Sequence, residues 1–117
     1  MEFVAFVGED KENWGQVTAL LNRLEYERAI IIKSSKEDFP TNGKCKVINI
    51  SSEKSLIDMK EQMQEKLKKE LSGDFEVSLS LASGNGKEHM ALLSALLNTP
   101  VGVKIVVFTK EGIKWLS

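Results

Sequence analysis

The feature that most constrains the fold is a series of short apolar runs rich in β-branched residues, separated by polar or helical segments. The first run is apolar at nearly every position, so it is typical of a strand covered on both faces, as in parallel sheets with helices on both sides. The runs lie at 2–7, 28–33, 45–50, 75–82 and 103–108. The chain therefore predicts a buried, mainly parallel sheet.

The C-terminal residues follow a different pattern. The segment TKEG at 109–112 is typical of a tight turn, and the IKWLS that follows alternates between apolar and polar residues. An alternating strand directly after a tight turn predicts an antiparallel hairpin with the preceding strand. The last strand is therefore expected at a sheet edge.

Three segments between the strands have helical periodicity. The first is expected to begin at Asn13 and the second at Ser51 or Ser52, with its end at Gly73, while Asn98 and Pro100 should stop the third. Their apolar stripes consist of Trp14, Val17, Leu20, Leu21 and Leu24, then Leu56, Met59, Met63, Leu67 and Leu71, then Leu92, Leu93, Leu96 and Leu97.

The order of elements is β-α-β-β-α-β-α-β-β. Strands joined through helices favour parallel pairing with right-handed crossovers. We therefore expect an α/β fold: a Rossmann-like three-layer sandwich, with a mainly parallel sheet of about six strands and a C-terminal antiparallel β-hairpin. The chain length fits a single domain spanning 1–117.

The composition excludes several classes of function. The only cysteine is Cys45 and the only histidine is His89, so an internal disulfide and a conventional zinc site are not expected. The formal net charge of −1 argues against a protein that coats DNA or RNA. No run is long enough to cross a bilayer and the N-terminus lacks a basic signal region, so a cytoplasmic location is expected.

The junction between the fourth strand and the third helix carries the most distinctive residues, "SGNGK" at 83–87. Ligands of such sheets lie beyond the carboxyl ends of the strands, and a helix N-terminus attracts phosphate. Gly84 and Gly86 would let a ligand approach the backbone, Ser83 offers a hydroxyl, and Lys87 supplies a charge. The alternative is a plain cap and turn, with Ser83 or Asn85 capping the helix and Lys87 solvated.

Two common nucleotide-binding motifs do not fit this junction. A Walker A loop would need Gly and Ser or Thr where this chain has Leu81 and Glu88. A dinucleotide fingerprint would need Gly in place of His89, and it should follow the first strand. ATP hydrolysis and NAD-dependent chemistry are therefore not expected.

The same junction, followed by a helix with an early Met90 and by a terminal hairpin, resembles the CRISPR-associated Rossmann-fold (CARF) domains. In the family pattern of hydroxyl, two glycines, threonine and lysine, the corresponding residues are Ser83, Gly84, Asn85, Gly86 and Lys87. Asn85 thus departs from the family at a glycine.

The resemblance implies a homodimer that binds a cyclic oligoadenylate at its two-fold axis in antiviral signalling, without direct DNA binding, membrane association or cofactor. It places 83–87 in the ligand site, together with Gly8 and Asn13. If the chain were a ring nuclease, Lys87 and Ser83 would be its catalytic residues, with no metal. The loop after the first strand departs from the family, because Glu9 and Asp10 would repel phosphates. A ligand-free interaction module therefore remains a third hypothesis.

Overall fold

A six-stranded sheet forms the centre of the protein, as seen in a computed structural model that describes residues 1–71 and 76–117. The strand order is β3-β2-β1-β4-β5-β6, with parallel pairing throughout except between β5 and β6. The strands are β1 (Glu2–Val7), β2 (Ala29–Lys33), β3 (Cys45–Asn49), β4 (Glu76–Ser80), β5 (Gly102–Thr109) and β6 (Gly112–Trp115). The predicted C-terminal antiparallel pair is confirmed.

Helices cover both faces of the sheet. They are α1 (Trp14–Arg23), α2 (Leu56–Glu70) and α3 (Gly86–Leu97), and a short 3-10 turn, Lys11–Asn13, precedes α1. α1 packs on one face, and α2 and α3 pack on the other. The predicted Rossmann-like three-layer α/β architecture is confirmed. Within residues 1–71 and 76–117, no helix combines the length and apolar character that a membrane crossing requires.

The strand β1 shows why these runs form a buried sheet. All six of its residues are buried. Val4 and Phe6 lie in the core beneath α2 and α3, whereas Phe3, Ala5 and Val7 lie in the core beneath α1. Since successive strand residues point to opposite faces, an uninterrupted apolar run supplies both cores at once.

The start of α2 corrects the sequence-based prediction. The helix begins after Ser55, whose hydroxyl accepts a hydrogen bond from the N–H of Asp58 at 3.1 Å. Ser51 instead closes a local turn, because its hydroxyl accepts from the N–H of Glu53 at 3.2 Å. A start at Ser51 or Ser52 was therefore wrong: both positions extend the loop after β3. The predicted helix end at Gly73 and strand start at residue 75 lie outside the described residues.

The strand order creates one topological switch point, between β1 and β4. From β1 the chain winds outwards through β2 and β3, and it then returns to the other side of β1 with β4. In open parallel sheets, the loops on either side of such a point diverge and leave a crevice at the carboxyl edge. The loops that follow Val7 and Ser80 meet there.

Candidate functional site

The loops after β1 and β4 are joined by a set of hydrogen bonds centred on Asp10. The Ser83 hydroxyl donates to Asp10 Oδ1 at 2.7 Å and accepts from the Gly8 N–H at 2.9 Å. The Gly84 N–H also donates to Asp10 Oδ1, at 2.9 Å. We call Gly8, Asp10, Ser83 and Gly84 the switch-point junction. Its carboxylate occupies the position beside α3 where an external anion was expected.

Close backbone contact explains the two glycines of this junction. Gly84 has φ +106°, and a Cβ there would lie 2.8 Å from Phe6 Cδ1. A Cβ on Gly8 would lie 2.8 Å from the Gly84 Cα. No side chain other than hydrogen fits at either position, so both glycines are required by the fold itself.

The surroundings of Asp10 favour its ionised form. Burial alone raises the pKa of Asp10, but hydrogen bonds from Asn13, Ser83 and the Gly84 N–H outweigh that effect and lower the pKa below the usual 3.8. Charge-assisted hydrogen bonds are stronger than neutral ones. The junction is therefore held together by a carboxylate in its charged form.

The first turn of α3 is capped by its own side chains. Asn85 accepts from the Glu88 N–H at 2.9 Å, and Glu88 accepts from the Asn85 N–H at 2.9 Å. This reciprocal pair is a capping box, which satisfies two backbone donors. The capping alternative is thus the observed role of Asn85. Gly86 is exposed, and a Cβ there would meet nothing within 4 Å.

Lys87, in the first turn of α3, contacts the loop after β3 and not the loop that carries Asp10. Its amine donates to the Ser52 carbonyl oxygen at 3.3 Å. Within the described part of the chain, Lys87 forms no ion pair. Its charge is therefore available to an anion at the edge of the sheet.

The predicted site residue Asn13 and its neighbour Trp14 hold the loop after β1 in place. Asn13 Nδ2 donates to Asp10 Oδ2 at 2.8 Å, and Trp14 Nε1 donates to the Gly8 carbonyl oxygen at 2.8 Å. Asn13 occupies the N-cap position of α1, as predicted, but its side chain makes no capping hydrogen bond. The Trp14 ring packs edge-on against Phe39, with centroids 5.4 Å apart.

His89 touches the backbone of the junction and not its hydroxyl. Its Nε2 lies 2.8 Å from the Ser83 carbonyl oxygen. Ser83 therefore has no histidine beside its Oγ, and the arrangement is not the serine–histidine pair of a nucleophilic enzyme. Among residues 1–71 and 76–117, no three His, Cys, Asp or Glu side chains form a metal-binding group.

A polar cleft of about 460 Å³ lies at the carboxyl ends of β2 and β3, next to Lys87. None of its lining residues was among the predicted site residues. The available signal was a Ser-Ser doublet at the end of each of these strands: 34–35 follows β2 directly, and 51–52 follows β3 after one residue. The cleft is lined by Glu9, Lys33, Ser34, Ser35, Lys36, Asn49, Ile50, Ser51, Ser52 and Glu53.

Apart from Asn85, which caps α3, the predicted site residues fall into two groups. Gly8 and Asn13 meet 83–84 around Asp10, whereas Gly86 and Lys87 face outwards at the start of α3. The outer group can hold an anion through a lysine and backbone N–H groups. The roles of these residues in ligand binding and catalysis stay predictions.

Neither the comparison with protein families nor the comparison with curated proteins identifies a relative of this chain. No model of a protein family matches the chain, and a search of curated proteins finds no match. Fold and local geometry are therefore the grounds for a functional proposal.

Proposed function

We propose that this chain is a CARF-like ligand-sensing domain that binds a cyclic oligoadenylate at a homodimer interface. The observation that carries the proposal is the position of Lys87. It stands in the first turn of α3 at the carboxyl edge of the sheet, and its amine has only a long bond to a carbonyl oxygen. Phosphate binds well where a helix N-terminus and a cation come together.

The open position at Gly86, where α3 begins, favours one phosphate per subunit. Gly86 leaves open space where another residue would place a Cβ, so a phosphate oxygen can approach the backbone beside Lys87. Asp10 lies deeper in the loop, where its carboxylate accepts three hydrogen bonds from the chain. Because these donors compensate its charge, its repulsion of a phosphate at Lys87 is reduced.

An apolar stripe on α3 supports the homodimer. The sequence placed Leu97 in one apolar stripe with Leu92 and Leu96, but only those two are buried, and Leu97 is 81% exposed. Met90 is 58% exposed, and the partly buried Leu93 lies between Met90 and Leu97 on the same face. The stripe begins within one turn of Lys87. A two-fold contact across it would bring two Lys87 side chains towards one axis, where a cyclic ligand with internal symmetry could meet both.

The burial and the hydrogen bonds of Ser83 favour binding of the ligand over its cleavage. Its side chain is fully buried, and its hydroxyl is already bonded to Asp10 and Gly8. These contacts support a role in positioning the loop. They do not favour a role as a group that acts on the ligand. Ring-nuclease activity remains the alternative enzymatic hypothesis, to be checked by chromatography of the ligand after long incubation.

Calorimetry with cyclic tetra-adenylate and cyclic hexa-adenylate tests the proposal. We expect binding of one of them, weakened about ten- to a hundredfold by Lys87→Ala, as expected for a lost charge-assisted hydrogen bond. Lys110→Ala is the matched control, because Lys110 is an exposed lysine in the β5–β6 turn. No heat with either ligand would reject the proposal and leave the ligand-free interaction module.

Sedimentation velocity tests the dimer separately. Leu97→Glu should shift the protein towards monomer, because it places a charge in the apolar stripe. Ile57→Glu is the control, since Ile57 is 64% exposed but lies on α2. A parent protein that sediments as a monomer with the cyclic ligand bound would contradict the symmetric arrangement.

A further inference from the structure

We infer that the polar cleft at the ends of β2 and β3 binds the nucleoside part of the ligand, its ribose and base, while Lys87 holds the neighbouring phosphate. The inference rests on the proposed function for the identity of the ligand. It adds a second subsite, formed by residues of the loops after β2 and β3. The sequence-based prediction included none of these residues.

The main observation is an unsatisfied hydroxyl. Ser34 is only 7% exposed, and within the described residues its Oγ is buried without a hydrogen-bond partner. Its backbone N–H is satisfied by the Val7 carbonyl oxygen at 3.1 Å, so the side chain alone lacks a partner. Nearly all buried polar groups in proteins are hydrogen-bonded. Ser34 also lines the open polar cleft, so a ligand in the cleft is the partner that we infer for this hydroxyl.

The other polar groups of the cleft have hydrogen-bonding capacity to spare. The Ser35 and Ser51 hydroxyls accept from the N–H groups of Glu37 and Glu53 at 3.1 and 3.2 Å, which leaves each O–H able to donate. Asn49 adds an amide, which both donates and accepts. Hydroxyls and amides of this kind match the hydroxyls of a ribose and the polar edge of a base.

The charges of the cleft favour an uncharged group over a second phosphate. Lys33 and Lys36 line it, but so do Glu9 and Glu53, so the formal charges cancel. The Lys33 amine is already committed, because it donates to the Glu37 carbonyl oxygen at 2.7 Å. A phosphate would face two carboxylates here, whereas a nucleoside meets no such repulsion.

Size and position connect the two subsites. The cleft measures about 460 Å³, within the range of roughly 300–1,000 Å³ that is typical of small-molecule sites. Ser52 belongs to the lining, and its carbonyl oxygen accepts from the Lys87 amine at 3.3 Å. A phosphate at Lys87 is thus directly beside the mouth of the cleft, as one nucleotide unit requires.

Adenosine is the probe that isolates this subsite, because it carries no phosphate. In an NMR titration of the isotope-labelled full chain, we expect the backbone signals of Ser34, Asn49 and Ser52 to shift most. Ser34→Ala should weaken adenosine binding about three- to tenfold, as expected for one neutral hydrogen bond. It should leave the thermal stability of the free protein unchanged or higher, since the hydroxyl has no partner to lose.

Ser78→Ala provides the matched control. Ser78 is also a buried serine, but it lies in the middle of β4, and its hydroxyl donates to Met1 Sδ. Its removal should leave adenosine affinity at the parent value. Equal affinities for the parent and Ser34→Ala would overturn the inference, as would an absence of adenosine-induced shifts up to the solubility limit.

Failure of the inference and failure of the proposed function are separable. A cyclic oligoadenylate that binds through Lys87 with equal affinity to the parent and to Ser34→Ala overturns the subsite and leaves the sensor proposal intact. Adenosine shifts at Ser34 and Asn49, with no binding of either cyclic ligand, reject the sensor proposal and support the nucleoside site.

Discussion

Two serines at the same edge of the sheet have opposite surroundings. Ser83, after β4, is fully buried and its hydroxyl makes two hydrogen bonds within the chain. Ser34, after β2, is almost as buried and its hydroxyl makes none within the described residues. The position of a polar residue at the carboxyl edge therefore does not identify a ligand contact. The two serines differ in whether the chain itself supplies a hydrogen-bond partner for the hydroxyl.

The difference arises from Asp10. Its carboxylate reaches across from the loop after β1 and satisfies both Ser83 and the Gly84 N–H. In the polar cleft, Glu9 and Glu53 contribute carboxylates to the lining, but neither gives Ser34 a partner. The switch-point junction is thus closed by the protein itself, and the cleft is left open to a ligand.

The largest expected effect is a difference in unfolding free energy between alanine variants of the two glycines in the SGNGK segment. Gly84→Ala should lower the free energy of unfolding by about 2–4 kcal/mol, because it combines an unfavourable positive φ with a clash against Phe6. Gly86→Ala should be neutral or stabilising by up to about 1 kcal/mol, since alanine favours helix and has open space there. Urea unfolding of both variants provides the measurement.

Calorimetry on Gly86→Ala then tests the proposed backbone approach to phosphate. A variant of parental stability that binds a cyclic oligoadenylate less tightly would assign Gly86 to the ligand. Unfolding free energies that are equal for Gly84→Ala and Gly86→Ala would show that neither the positive φ nor the contact with Phe6 constrains Gly84.

The next effect compares the two serines directly. Ser83→Ala should cost about 1–3 kcal/mol of unfolding free energy, because it leaves the buried Gly8 N–H without its acceptor. Ser34→Ala should cost nothing and can stabilise the protein, because it removes a buried hydroxyl that has no partner. Thermal and urea unfolding give both values. A destabilised Ser34→Ala would mean that the free protein already satisfies this hydroxyl, which would remove the contrast.

The smallest effect concerns pH. The pKa of Asp10 is lowered in the folded protein, so the unfolded chain binds its proton more readily. The stabilisation from Asp10 is therefore fully present above the usual aspartate pKa of 3.8 and is lost as the pH falls through the folded value. Urea unfolding between neutral and acid pH should show a smaller acid loss for Asp10→Asn than for the parent.

Every other carboxylate is common to the two proteins, so the difference between the two curves isolates Asp10. Parallel curves for the parent and Asp10→Asn would contradict the charged junction.

Much of the fold was predictable from local patterns. The strand β1 is apolar at five of the six positions 2–7, which marks a strand buried on both faces. The stripe of Met59, Met63 and Leu67 marks the buried side of α2. Less predictable was the start of α2, because Ser51, Ser52 and Ser55 are all plausible caps. The N–H of Asp58 forms its cap with Ser55.

The candidate site was predictable only in part. Because 83–87 stands between a strand pattern and a helix pattern, the sequence predicted that it lies at the start of a helix. Asn85 was one of the two residues considered as the cap of that helix. From the sequence, Asp10 was expected to repel phosphate. In the folded chain, its carboxylate is turned towards Ser83, a residue 73 positions away. A contact over that distance depends on the pairing of β1 with β4, which no local pattern reports.

By itself, the sequence determined the alternation of buried strands and amphipathic helices. Burial on one or two faces requires apolar residues to recur with the period of the strand or helix, and that period can be read from the sequence. Only the tertiary structure decided which polar groups at the sheet edge are satisfied. That outcome depends on distances between loops that are far apart in sequence, where a hydroxyl such as Ser83 meets a carboxylate and one such as Ser34 meets no partner in the described chain.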